Sequence, residues 1–201
     1  MLENIKWLGH AGFKIKGEKT VYIDPFKINE TEPADIIICT HEHFDHMSPE
    51  DIKKIQAGKT VIVTTPDSFS KVSGNVKTLV PGQSMDVDGI KIEAVPAYNL
   101  NKHFHPKENK WMGVVITING QRIYHAGDTD SIPEMYGLKD IDIAFLPVSG
   151  TYVMTAEEAA GAANRINPKV AVPMHYGAIV GTKEDAEKFK KLCKCKVEIL
   201  G

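Results

Sequence analysis

Histidines and carboxylates cluster in one short segment of the sequence. Of the eight histidines, three fall within residues 41–46, which read H-E-H-F-D-H. Neutral imidazole binds zinc, iron or nickel, and a carboxylate adds a hard oxygen ligand. The pattern H-x-H-x-D-H thus places four metal-capable side chains at a spacing that a random polar turn rarely has. It predicts a metal site in which His41, His43, Asp45 and His46 are ligands.

The motif lies where a binding site is expected in a layered α/β fold. The apolar run Ala34–Cys39 directly before it predicts a strand that is buried on both faces. Ser48 and Pro49 directly after it are typical of a helix start. Ligands of α/β sheets gather at the carboxyl ends of such strands. The motif is therefore expected in a loop that opens onto a binding cleft.

Further carboxylates and histidines stand in recognisable surroundings elsewhere in the chain. They are Asp24 in V-Y-I-D-P-F, Asp128 in Y-H-A-G-D-T-D, His175 in V-P-M-H-Y-G, and His10 in the opening W-L-G-H. With the H-x-H-x-D-H motif, these residues resemble the metallo-β-lactamase superfamily over nearly the whole chain. Within it they are similar to small metal-dependent hydrolases such as ascorbate-phosphate lactonases and N-acyl phosphatidylethanolamine phospholipase D. The resemblance implies an α/β (α+β) fold, a four-layer βα/αβ sandwich with the site along one edge.

The resemblance also implies how the ligands divide between two metal ions. His41, His43 and a later histidine would hold the first ion. Asp45, His46 and His175 would hold the second, with Asp128 bridging both and Asp24 supporting the ligands from behind. Zinc is favoured, and manganese, iron or nickel are alternatives. The implied reaction is attack by a metal-bound hydroxide on an ester, lactone or phosphodiester of a small substrate.

The third histidine of the first ion is where this chain departs from the superfamily pattern. The predicted strand Ile90–Val95 leads to Asn99, a poor zinc ligand, where a histidine is expected. We predict that His105 replaces it, because Pro106 restrains His105 to extended conformations. His103, Asn99 itself or a water molecule are the alternatives.

Asp45 and His10 are the candidate catalytic residues. His10 follows Gly9 in a predicted turn, so its side chain is able to reach the site and act on the substrate or on a ligand. A purely structural histidine is the competing interpretation.

The elements that position these residues follow from hydrophobic patterning and turn residues. Short β-branched runs predict strands through the first half, and two capped helices are predicted late, from Thr155 to about Ile166 and over Thr182–Leu192. Asn119 and Gly120 between two apolar runs predict a type I′ hairpin. Pro96–Lys110 is a polar loop of a length that is usually functional or disordered. Helices covering sheets in layers fit this order best.

Length and composition limit the classes of function. A chain of 201 residues predicts one domain, residues 1–201. The net charge of −2 argues against a nuclease of the tRNA 3′-processing type, which stays an alternative together with a non-catalytic metal-binding protein of the same fold. We expect a small-molecule substrate, no nucleic acid or membrane partner, and a possible homo-oligomer. An odd count of three cysteines and an N-terminus without a signal-peptide pattern predict a cytoplasmic protein.

Overall fold

Six strands form the first sheet of the computed structural model, which describes residues 2–201. They lie in chain order, antiparallel from β1 to β3 and parallel from β3 to β6. Their bounds are β1 Ile5–Gly9, β2 Gly12–Lys16, β3 Thr20–Ile23, β4 Ile36–Ile38, β5 Val61–Thr64 and β6 Asn75–Thr78.

Seven strands form the second sheet, in the order β13-β12-β11-β10-β9-β8-β7. It is antiparallel from β7 to β10 and parallel from β10 to β13. The bounds are β7 Ser84–Val87, β8 Ile90–Pro96, β9 Met112–Ile118, β10 Gln121–His125, β11 Ile143–Pro147, β12 Val170–Met174 and β13 Lys196–Val197.

The two sheets face each other across one continuous apolar core. Alternate residues of each strand point inward, so the rings of Phe13 from β2 and Phe145 from β11 stack with centroids 3.8 Å apart. The side chains of Tyr22 and Ile37 point to the opposite face of the first sheet, because each stands one position away from the core-facing residues of its strand. Because successive side chains of a strand point to opposite faces, the first sheet has a second apolar face, which a helix must cover.

Three helices cover the outer faces: α1 Pro49–Ile55, α2 Ala156–Ile166 and α3 Lys183–Leu192. Ile52 and Ile55 of α1 pack on Tyr22 and Ile37 of the first sheet, whereas α2 and α3 pack on the second sheet. The order helix, sheet, sheet, helices confirms the predicted four-layer α/β sandwich. Among residues 2–201, no helix has the length and apolar character needed to cross a membrane.

Local sequence signals hold at the turns and helix starts. Ser48 accepts a hydrogen bond from Asp51 N at the start of α1, and Thr155 forms the predicted capping box with Glu158. Asn119 and Gly120 both have positive φ, 53° and 70°, as a type I′ hairpin requires.

Strand β4 is shorter than the apolar run predicted. The ladder covers only Ile36–Ile38. The flanking Asp35 and Cys39 still donate backbone hydrogen bonds to neighbouring strands, and side-chain contacts are added at both ends. Asp35 accepts from Thr20 N at 2.8 Å, and Thr40 N donates to Asp24 Oδ1 at 2.8 Å. The second of these contacts turns the chain off the sheet at the residue where the H-x-H-x-D-H motif begins.

Candidate metal centre

The motif forms a compact turn between β4 and α1. The backbone N–H groups of His46 and Met47 both donate to the carbonyl of His43, at 3.0 and 2.8 Å. This folding brings the side chains of the motif to one side of the loop. His41 and His46 are buried there, whereas His43 and Asp45 are partly exposed.

Asp24 supports this turn from behind. It is fully buried at the end of β3, and its Oδ2 accepts from Thr40 Oγ1 and from His46 Nδ1, both at 2.7 Å. Because His46 Nδ1 carries the proton of that bond, the lone pair of Nε2 points away from Asp24. Thr40 Oγ1 in turn accepts from His41 Nδ1 at 3.1 Å, which leaves His41 Nε2 free in the same way. One carboxylate therefore orients two predicted ligands.

Asp128 lies where three histidines from separate segments converge. Its Oδ2 is 3.2 Å from His105 Nε2 and 3.1 Å from His175 Nε2, and its Oδ1 is 3.2 Å from His46 Nε2. The preceding Gly127 has φ +64°, and a Cβ there would lie 2.8 Å from the carbonyl oxygen of Met112. The glycine of the A-G-D-T segment thus allows Asp128 to approach β9 closely.

Two groups of side chains surround Asp128, each with ligand atoms within 4.8 Å of one another. The first group is His41, His43 and His105, in which His43 Nδ1 lies 3.0 Å from His41 Nε2 and 3.2 Å from His105 Nε2. The second group is His10, Asp45, His46 and His175. A third group, His41, His46 and Asp128, shares residues with both sets. The structure therefore brings every sequence-predicted metal residue into one cluster, and their division between two ions stays a prediction.

His105 and Asn99 have different positions in this cluster. The Asn99 amide nitrogen donates to the carbonyls of Phe104 and Tyr152 at 2.9 and 2.7 Å, and Asn99 N donates to His105 O at 2.8 Å. Asn99 thus fastens the loop that carries His105, whose Nε2 reaches the cluster. His103 is exposed on the same loop and is not part of either group.

His10 is the member of the second group that contacts both Asp45 and His175. Its Nε2 donates to Asp45 Oδ2 at 2.9 Å, and its ring centroid is 4.0 Å from that of His175. His125, by contrast, donates to Ala11 O and accepts from Gly127 N, so both of its ring nitrogens are occupied. His10 therefore contacts the cluster, whereas His125 supports the fold.

Four residues of the site hold a left-handed backbone conformation. The φ angles are 52° at His10, 45° at Asp24, 58° at His105 and 62° at His175. Each such residue costs roughly 1–2 kcal/mol relative to the right-handed region. Strain of this kind concentrates at functional sites, where the surrounding contacts maintain it. Here it directs three imidazoles and one carboxylate into the site, where regular strands would direct them elsewhere. The positive φ of His105 shows that the extended conformation predicted from Pro106 is wrong, although the side chain does reach the cluster.

The electrostatics of the cluster favour a cation. Burial opposes a charge on Asp128, but His175 and His46 outweigh it and hold the pKa of Asp128 well below its usual range. Burial also opposes a charge on His46, yet the carboxylates of Asp128 and Asp24 raise the pKa of His46 well above its ordinary value. Burial lowers the pKa of His41 well below its ordinary value. An ionised carboxylate beside an imidazole that burial keeps neutral, as at His41, belongs to the donor set that divalent metals bind.

Three buried donor atoms show that the residues fit a metal ion. His46 Nε2, His175 Nε2 and Asp128 Oδ1 have no hydrogen-bond partner among residues 2–201, although all three point into the cluster. Unpartnered buried polar atoms are costly and rare in folded proteins. Coordination of a cation would satisfy all three at once.

No sequence pattern indicates that Trp111 or Ser149 belongs to the site. The Trp111 indole packs against the rings of His41 and His43, at centroid distances of 4.8 and 4.7 Å, and donates to Asp67 at 2.6 Å. Ser149 Oγ lies 3.1 Å from His175 Nδ1. Both residues limit the ring orientation of predicted ligands, and neither belongs to a recognisable motif.

Comparison with known proteins places this site in a family. The family model described as the beta-lactamase superfamily domain matches residues 4–175. The chain belongs to this superfamily. A UPF0173 metal-dependent hydrolase of Thermococcus onnurineus is 35% identical over 98% of this chain and 94% of its own length. A similarly named protein of Pyrococcus abyssi is 34% identical over 98% and 95%. The protein is accordingly a metal-dependent hydrolase of the metallo-β-lactamase superfamily.

Solved structures share the fold over the same extent. A crystal structure from Parabacteroides distasonis is 38% identical and superposes with a TM-score of 0.88, covering 97% of this chain and 91% of the other. Igni18, a metallo hydrolase of Ignicoccus hospitalis, has a TM-score of 0.79 at 23% identity, covering 98% and 94%. The four-layer sandwich is therefore common to this chain and to both structures.

Proposed function

We propose that the protein is a dinuclear zinc hydrolase that cleaves an ester, lactone or phosphodiester bond of a small substrate. His41, His43 and His105 would hold one ion, Asp45, His46 and His175 would hold the other, and Asp128 would contribute to both. The observation that carries this proposal is the position of Asp128, whose two carboxylate oxygens lie 3.1–3.2 Å from imidazoles of three segments.

The hydrogen bonds behind the ligands support this assignment. Asp24 accepts from His46 Nδ1, and Thr40 accepts from His41 Nδ1, so in both rings the opposite nitrogen carries the lone pair. Metal-binding histidines are oriented in this way by a carboxylate or another acceptor on the far ring nitrogen. A site with N and O donors and no thiolate suits zinc, and also manganese, iron or nickel.

His10 is a positioning residue in this proposal. It is 1% exposed and lies behind Asp45, and its Nε2–H donates to Asp45 Oδ2. That bond leaves Asp45 Oδ1 directed away from His10. His10 therefore fixes the rotation of the Asp45 carboxylate and does not touch the substrate.

Substrate enters from the one side on which the ligands are open. His43, Asp45, His105, Asp128 and His175 line a cavity of about 220 Å³. Metal ions bound at its floor supply Lewis acidity toward the substrate and lower the pKa of a coordinated water to near neutrality. The buried carboxylate of Asp128 and the neutral imidazoles keep the site's own charge low, and Trp111 excludes water behind His41 and His43.

Elemental analysis and an activity panel test the proposal. Protein purified without chelator is expected to contain two zinc equivalents, or to take up two on titration, and to hydrolyse at least one member of an ester, lactone and phosphodiester panel. Dialysis against a chelator should abolish that activity, and added zinc should restore it. Protein that neither contains nor takes up a transition metal would refute the proposal.

Asp128→Ala separates the metal role from a structural one. Loss of the residue that joins both groups should lower zinc affinity by more than the ~10–100-fold typical of residues that only support ligands. Asp130→Ala is a matched control, because Asp130 lies two residues away, is equally buried, and bonds to Leu100 N and Lys102 instead of to a histidine. A folded Asp128→Ala protein with two zinc ions and full turnover would contradict the assignment.

A further inference from the structure

The walls of the cavity above the metal centre are apolar. Beyond the predicted ligands, the residues that line it are Phe44, Phe104, Tyr152, Ile179 and Val180. They come from four segments: the motif, the loop that carries His105, the chain after β11, and the chain after β12. None of the described residues that line the cavity is a lysine or an arginine.

These side chains are also exposed to an unusual degree. Phe44 is 67% exposed, Phe104 is 51% and Ile179 is 41%, which makes up half of the six large exposed hydrophobic side chains within residues 2–201. Exposed apolar groups that gather around one cleft mark a binding surface, whereas singly scattered ones carry no such meaning. The cleft is continuous with the metal centre, so its occupant is a substrate.

Ring contacts hold the two phenylalanines in place. Phe44 packs edge-on against Phe26 with centroids 5.7 Å apart, and Phe104 packs edge-on against Tyr152 at 4.7 Å. The walls therefore do not depend on a ligand to be formed. A preformed apolar wall binds its ligand without the entropic cost of ordering side chains.

Charges near the rim are neutralised by partners outside the cavity. Lys102 and Lys107 of the loop 97–111 pair with Asp130 and Glu134, and Lys71 pairs with Glu42 of the motif. The ionised groups that face the cavity from the ligands are the carboxylates of Asp45 and Asp128. An anionic substituent seated on these walls would meet apolar side chains, without the arginine or lysine that usually recognises it.

The size of the cavity limits what it holds. Its volume is about 220 Å³. That is the space of a short alkyl chain or a single ring, below the ~300–1,000 Å³ of pockets that enclose larger ligands.

From these observations we infer the substrate class: a compound whose group next to the scissile bond is a small, uncharged alkyl or aryl group, seated between Phe44, Phe104 and Ile179. This inference rests on the proposed function for its reaction. According to this inference, Phe44, Phe104 and Ile179 make the enzyme prefer apolar substrates to anionic ones.

The test compares methyl esters whose acyl group is the only apolar part. For the zinc-loaded enzyme, kcat/KM should rise from methyl acetate to methyl butanoate by up to about fourfold per methylene removed from water. Methyl pentanoate should be cleaved at least tenfold faster than monomethyl glutarate, which has a carboxylate in place of the terminal methyl group. Equal rates across both comparisons would overturn the inference while leaving the hydrolase in place.

Variants assign the effect to the wall. Phe104→Ala should flatten the dependence on chain length, whereas Phe69→Ala, which removes an equally exposed phenylalanine outside the cavity, should leave it unchanged. Ile179→Lys should shift the preference toward monomethyl glutarate. If Phe104→Ala and Phe69→Ala behave alike, the apolar wall does not select the substrate.

A binding measurement keeps this inference separate from the proposed function. The methyl resonances of Ile179 and Val180 are followed by NMR while the protein is titrated with pentanamide or with glutaramate, neither of which needs to be cleaved. Shifts with pentanamide alone support the inference even if no ester is hydrolysed. Shifts that are equal for both compounds, or absent for both, refute it.

Discussion

Asp24→Asn is the sharpest perturbation of the support behind the metal centre. Asp24 accepts three hydrogen bonds on two oxygens, from Thr40 N, Thr40 Oγ1 and His46 Nδ1. An asparagine has the same shape and tolerates the left-handed φ of 45° at this position. It has only one acceptor oxygen, so in either orientation its NH₂ group faces at least one donor.

The expected magnitudes follow from this count. Hydrogen bonds to a charged group are worth ~1.5–3 kcal/mol each, and a buried donor left unpaired costs ~1–3 kcal/mol. We expect Asp24→Asn to lower the free energy of unfolding by about 2–4 kcal/mol, since one or two of the three bonds are lost. Zinc affinity should fall ~10–100-fold, as when other residues that support ligands are changed.

The loss of zinc affinity should depend on pH. Asp24 stabilises a positive charge on His46 whether that charge is a proton or a metal ion, and with Asp128 it raises the pKa of His46 well above the ordinary value, against the effect of burial. Below this raised pKa, zinc must displace a proton from His46. Because Asp24 stabilises both the proton and the zinc ion, its removal changes the zinc affinity little. Above this pKa no proton has to be displaced, so the removal of Asp24 lowers the zinc affinity in full. The affinity ratio of wild type to variant should therefore rise with pH, and it is compared at pH 6 and pH 9.

Competition with a chromophoric zinc chelator at the two pH values measures this ratio, and urea denaturation measures the change in stability. Asp35→Asn is the control, because Asp35 also accepts a backbone hydrogen bond beside β4 but lies at the opposite end of that strand. Zinc affinity that is the same in Asp24→Asn as in wild type at pH 9 would show that Asp24 does not orient His46 for metal binding.

Three other outcomes follow from the described contacts. His105→Ala should reduce bound zinc from two equivalents toward one, as read by elemental analysis, and unchanged stoichiometry would exclude His105 as a ligand. Asn99→Ala should keep both ions but cost about 1–3 kcal/mol in thermal unfolding, because the two carbonyls that its amide satisfies lose their donor; a loss of zinc at unchanged stability would argue the reverse. Asp51 accepts from two backbone N–H groups and Lys54, which, against the effect of burial, lower its pKa. Its stabilisation is present above the unfolded pKa of ~3.9 and lost as pH falls through the lower folded value. Asp51→Ala should therefore cost ~1.5–3 kcal/mol at pH 7, and a cost that stays constant between pH 6 and pH 2 would contradict this.

Much of this protein was predictable from its sequence because the signals are local. The H-x-H-x-D-H spacing, the apolar run before it and the Ser48 cap after it together specify a metal-binding turn between a strand and a helix. The Asn119–Gly120 dipeptide specifies its hairpin, because both residues tolerate the positive φ that the turn needs. Patterns of this kind depend on neighbours within one turn or one strand, so no tertiary information is required.

The tertiary structure decided which distant residues meet. The loop 97–111 could deliver His103, His105 or Asn99, and the outcome depends on Asn99 donating to Tyr152 O, a residue 53 positions away. The chain likewise leaves the first sheet after β4 where the side chain of Asp24, 16 positions away, accepts from Thr40 N. The apolar cavity is built from Phe44, Phe104 and Ile179, three side chains with no spacing in common. Contacts between segments far apart in the chain depend on how the two sheets pack, and no local pattern encodes that packing.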